Sequence, residues 1–142
     1  MRHIWFVLIG FACSCSSPTA GDRASQIGTI SGYHEDDPFI EVELVGNAIR
    51  VSVVTFVPGP GCFVRGETRV IVEGQRAEVT PYNIPIGPSG RDCPRGLEHI
   101  EHVAEFSFSG SEGGEVVING RRATGQSPFS EPIQVTIPIP GP

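Results

Sequence analysis

The sequence predicts an all-β protein, a single antiparallel β-sandwich of about seven strands behind an N-terminal export signal. Its 142 residues include 18 Gly and 13 Pro but one Met, a mixture that favours turns and short extended runs because Gly and Pro are poor in helix interiors. Hydrophobic residues make up 39%, many of them Val and Ile, whose branched side chains pack on a pleated surface but lose rotamer freedom in a helix. Apolar positions then recur with period two along several runs, which places them on one face of a strand. The length leaves room for one core once an N-terminal segment is set aside.

Residues 1–14 read as the signal. Arg2 and His3 precede an apolar run over 4–12, well short of the ~20 residues a membrane-spanning helix needs. Cys13, Ser14, Cys15, Ser16 and Ser17 follow directly. A cysteine in that position resembles a bacterial lipoprotein signal, which is cut before a Cys that is then diacylated and becomes the new N-terminus. The resemblance implies lipidation of Cys15, behind the small residues Ala12, Cys13 and Ser14, or of Cys13, behind Gly10, Phe11 and Ala12. Neither has a Leu three residues ahead of it, and cleavage near Ala20 without lipidation is the alternative. The protein is thus expected to be exported and lipid-anchored at the cell envelope, or else periplasmic or secreted. Residues 15–37, rich in Ser, Gly and acidic groups, read as a flexible tether, and 38–142 as the sandwich domain.

Within the domain, Ile40, Val42 and Leu44 alternate with Glu41 and Glu43. After a Gly46-Asn47 turn, Ile49, Val51 and Val53 alternate with Arg50 and Ser52, and the run becomes apolar on both faces through Val54, Phe56 and Val57. These two strands predict a hairpin that stops where Pro58, Gly59, Pro60 and Gly61 break the ladder. Residues 67–73 and 75–82 predict a second hairpin, with Val70 and Val72 facing Ala77 and Val79 across a Glu73-Gly74 corner and Pro81 as its end. Residues 84–95, with Pro85, Gly87, Pro88, Gly90 and Pro94, read as a long irregular loop. A strand over 102–109 turns Ala104, Phe106 and Phe108 inward, and residues 110–114 turn into a strand over 115–120. Ile133, Val135 and Ile137 form a closing edge strand, blunted by Pro138 and Pro140. The layout resembles the immunoglobulin-like modules of bacterial lipoproteins, although Trp5 lies in the signal and no Trp remains for the core.

With Cys13 and Cys15 assigned to export, Cys62 and Cys93 remain, and a lone pair outside the cytoplasm predicts a disulfide closing about 31 residues. That bond would join the 58–65 and 84–95 loops into one constrained apex, and loops on a rigid scaffold are common recognition surfaces. Phe63, Arg65, Tyr82, Arg91 and Arg95 are its candidate binding residues, since aromatic and guanidinium groups are enriched at interfaces. The function expected is a non-enzymatic envelope module, a binding or structural domain with a protein or surface-polymer partner, attached to the membrane through its N-terminal lipid.

Two rival functions have residues to carry them. His99 and His102 sit three apart among carboxylates and would meet on a helical turn, giving a small metal-dependent enzyme to which the run from His34 to Asp37 could add ligands. On a strand they would face opposite ways, and the bland reading is a solvated loop leading into a strand; the spacing matches neither His-Glu-x-x-His nor its inverse. The proline-rich 58–62 loop, Pro58 to Cys62, could instead enter a protease cleft as an inhibitor's extended segment. No Ser lies in a Gly-x-Ser-x-Gly context, so no catalytic residue is assigned and no cofactor is implied. A formal charge of -6, with all ten basic residues Arg, offers no footprint for nucleic acid.

Overall fold

A computed structural model describes residues 24–86, 93–110, 112–125 and 130–141. The signal, both N-terminal cysteines and Arg91 lie outside the described residues. The strands in chain order are β1 (Gln26–Ile27), β2 (Thr29–Ser31), β3 (Ile40–Val45), β4 (Ala48–Pro58), β5 (Phe63–Glu73), β6 (Arg76–Pro85), β7 (Leu97–Phe106), β8 (Gly114–Ala123) and β9 (Ser130–Ile139). No helix occurs among the described residues.

Alternation decides which face each strand buries. In the β3–β4 hairpin Ile40, Val42 and Leu44 pair with Val53, Val51 and Ile49, and Gly46 at φ 62° lets the chain reverse. The other edge of β4 pairs with all of β7, from Ile49↔Phe106 to Pro58↔Leu97. A second group forms around β8, with β9 antiparallel on one side, β6 parallel on the other, and β5 beyond β6. Ile49, Val51 and Val53 of β4 and Ala104 of β7 share one buried cluster with Val79, Val116, Ile118 and Ile139 of the other group. Strands that do not hydrogen-bond to each other therefore press their apolar faces together, and the two groups are the layers of the molecule.

Several expectations need correction. Among the described residues the strands number nine rather than about seven, and the pairing is mixed rather than antiparallel. The chain leaves β6, crosses to the facing layer as β7 and returns as β8 beside β6, and two reversals restore the original direction, so β6 and β8 run parallel. Part of the segment read as tether is built into the fold: β1 pairs with β6, β2 pairs with both β4 and β8, and Ile30 is fully buried. Space for Ile30 exists because residue 120 is Gly; a Cβ there would stand 2.5 Å from the Ile30 Cδ1.

Pro81 does not end the second hairpin, because β6 continues to Pro85 and β5 begins at Phe63. Its missing N–H falls where the ladder already shifts register, between Arg65↔Asn83 and Thr68↔Pro81, and its carbonyl accepts from Gly28 N at 2.8 Å. Ile84 and Pro85 are accordingly strand rather than loop. The 97–102 segment is likewise strand and not a solvated loop, since β4 is long enough to pair with it through Pro58. β7 ends at Phe106, although Phe108 still packs on the core.

Candidate functional site

One end of the two-layer structure is held by the Cys62–Cys93 disulfide, with S–S 2.07 Å and Cα atoms 5.9 Å apart. Residues 59–62 form a closed turn. Gly59 N donates to Gly96 O at 3.0 Å, Cys62 N to Gly59 O at 3.0 Å, and Gly61 N to the Glu98 carboxylate at 2.8 Å. Gly59 has φ 79°, and a Cβ on it would fall 2.3 Å from the Cys93 Cβ, so only Gly fits against the bridge. The 58–62 loop is thus not the extended segment that an inhibitor would offer, because both positive-φ glycines fold it back on itself.

Beside this end, β1 and β2 step from one layer to the other. Gln26 and Ile27 pair with Asn83 and Tyr82, after which Thr29 pairs with Phe56 and Arg121. Gly28 makes the step possible, since a Cβ would come within 2.3 Å of Thr55 Cγ2. The crossing borders a cleft of about 670 Å³, in the range typical of small-molecule sites. Tyr33, Phe56, Val57 and Phe63 supply apolar and aromatic lining, while Gln26, Asn83, Arg121 and Ser130 supply polar groups. The half-buried Arg121 guanidinium is oriented by Ser130, with Nε donating to its Oγ at 2.6 Å and Nη2 to its carbonyl.

Asn83 connects the cleft to a buried polar chain. Its Nδ2 donates to Thr55 Oγ1 at 3.0 Å, and Thr55 Oγ1 donates to Ile100 O at 3.1 Å. Asn83 Oδ1 is then the acceptor for His102 Nε2–H at 2.9 Å, which leaves Nδ1 bare to accept from Thr68 Oγ1 at 3.0 Å. This assignment satisfies every member and links β4, β5, β6 and β7. His102 has no exposed surface, and burial, helped by the Arg65 charge, lowers its pKa from 6.5 to about 4. Both ring nitrogens are engaged, so ligation of a metal by His102 would break one of these bonds.

His99 sits on the opposite face of β7, edge-on to Phe56 with ring centroids 4.9 Å apart. Its imidazole neighbour is His34, at 6.1 Å between centroids, rather than His102. Tyr33, His34 and Phe39 complete a ring around Phe56 at 5.5, 5.5 and 6.0 Å, which buries Phe56 although it points away from the core between the layers. The Asp37 carboxylate closes that turn by accepting from Tyr33 N at 2.8 Å and His34 N at 2.9 Å. Among the described residues no group of three or more His, Cys, Asp or Glu side chains stands together to hold a metal.

Comparison with family models, curated proteins and solved structures finds no match for the chain. The candidate residues named from sequence do not converge. Phe63 enters the cleft. Arg65 reaches across to Glu101 O at 3.3 Å, and Arg95 is exposed in the connection before β7. Tyr82 belongs to the opposite face of its layer, where Arg69 lies 5.1 Å over its ring and a second recess of about 570 Å³ opens. Sequence reasoning missed Tyr33, Asn83, Arg121 and Ser130. One signal was present: Asn83 continues the inward series Ala77, Val79, Pro81, and an amide in an inward register must find buried partners.

Proposed function

We propose that this chain is an exported, non-enzymatic binding module, an immunoglobulin-like sandwich held at the cell envelope through a lipidated Cys15 or Cys13, or else released by cleavage near Ala20. Its ligand occupies the cleft beside the disulfide-linked turn. The observation that carries this reading is the cleft itself: about 670 Å³, walled by rings, with a few convergent polar groups, and built on paired strands rather than on loops alone. The ligand, or the group that a protein or surface-polymer partner inserts, is therefore small and largely apolar. The disulfide and the Asp37 turn brace two sides of the cleft, so binding requires little rearrangement.

The neutral fluorophore N-phenylnaphthylamine, which brightens in apolar surroundings, tests the cleft. The folded protein is expected to bind it saturably. Gln26→Trp at the rim, or Ala123→Phe further in, should weaken that binding at least about ten-fold at an unchanged unfolding temperature, as loss of a ring-sized contact predicts. Absence of saturable binding, or equal binding by both filled variants, would remove the basis for the proposal. The address has its own test. Intact-mass spectrometry of protein from the membrane fraction is expected to show a diacylated N-terminus beginning at Cys15 or Cys13; an unmodified full-length chain in the cytoplasm would overturn the export reading.

A further inference from the structure

We infer that the cleft selects an amphipathic organic anion, whose carboxylate or sulfonate meets Arg121 while its apolar body lies against the rings of Tyr33 and Phe63. The inference rests on the binding-module reading and adds the chemistry of the ligand to it. Among the described arginines Arg121 is set apart by its burial, since Arg50, Arg65 and Arg95 also lack a carboxylate partner but lie exposed. Arg69, Arg76 and Arg122 each form an ion pair with a Glu at the exposed surface. Arg121 is half-buried, and both hydrogen bonds drawn from its guanidinium go to one neutral residue, Ser130. Among the described residues no carboxylate pairs with it, although the chain carries 16 acidic side chains and a formal charge of -6. A positive charge withdrawn from water without a counter-charge is unfavourable, and an incoming anion would relieve that cost.

The geometry of the guanidinium agrees. Nε and one Nη2 hydrogen are engaged by Ser130, which fixes the plane of the fork, and the other Nη2 hydrogen and both Nη1 hydrogens remain for an acceptor in the cleft that Arg121 and Ser130 both line. A planar or tetrahedral oxyanion accepts from such a fork, and a charge-assisted bond in a partly dehydrated site is among the stronger polar contacts. The remaining wall is aromatic and aliphatic, with Ile27, Val57 and Pro58 near the rings, so an inorganic anion would leave most of the surface uncovered. An aryl or short acyl anion covers both parts.

A pair of probes that share one ring system separates this inference from the reading beneath it. Anilinonaphthalene sulfonate carries the anion, and N-phenylnaphthylamine lacks it. The intact folded protein is expected to prefer the sulfonate by roughly ten- to a hundred-fold at low salt, the range for one charge-assisted hydrogen bond. Arg121→Gln should bring that preference close to unity. Because the substitution disturbs the bonds to Ser130, the unmodified protein supplies a second measurement: hexanoate should displace the neutral probe at concentrations at which hexanamide does not. Equal affinity for both fluorophores, a preference that survives Arg121→Gln, or equal displacement by acid and amide would overturn the anion inference and leave the cleft standing. Failure of both fluorophores to bind would overturn the two together.

Discussion

Replacing Cys62 and Cys93 together with alanine is expected to lower the unfolding free energy by about 3–4 kcal/mol, as closure of a loop with sequence separation 31 implies in the chain-entropy account. Against the roughly 5–15 kcal/mol by which domains of this size are stable, that is a large fraction. Two features direct the effect to the cleft end. The bridge fastens the β4–β5 turn to the connection between β6 and β7, and Ile86 N donates to Cys62 O at 2.8 Å, so the carbonyl beside the sulfur also holds the end of β6. Urea unfolding of the double variant, compared with the unmodified protein with and without reductant, checks this. The reduced protein and the variant should coincide, and a loss below about 1 kcal/mol in both would show that the strand ladders hold that end without the sulfur bridge.

His102→Ala is expected to cost about 3–5 kcal/mol, because it opens a cavity in a fully buried site and strips Asn83 and Thr68 of their buried partner. The same residue predicts how stability depends on pH. Its pKa in the fold is depressed to about 4 from 6.5, first by desolvation and then by Arg65. Between those values the unfolded chain binds a proton that the folded chain refuses. Stability from this residue is therefore complete above pH 6.5, declines as pH falls toward 4, and is level below that. The span amounts to about 3.5 kcal/mol at most, at ~1.4 kcal/mol per pH unit. Chemical unfolding across this range should show the decline in the unmodified protein and a flatter profile in His102→Ala. Equal slopes in the two proteins would place the pH response in other groups.

Both residues were visible in the sequence, but their partners were legible to different degrees. Cys62 had one plausible mate once the N-terminal cysteines were assigned elsewhere, and the bridge is there. His102 was read beside His99 because the two are close along the chain. A strand separates residues three apart onto opposite faces, so one imidazole joins a buried polar chain and the other an aromatic cluster. Likewise the β3–β4 hairpin was readable from alternation and from Gly46, whereas β1 and β2 were not. Two- and three-residue strands are too short to display a period, and their pairing is set by edges that β4, β6 and β8 leave open.

Local chemistry thus determined the all-β class, the hairpins and the sulfur bridge, since each depends on alternation, on turn residues, or on two side chains with no other role. Only the tertiary structure decided the parallel pairing of β6 with β8, the crossing of β1 and β2 between layers, and the cleft where Asn83, Arg121 and Phe56 meet. These depend on which strand edge is free to receive another, and on residues from distant parts of the chain reaching one place. No period or spacing along the sequence encodes either.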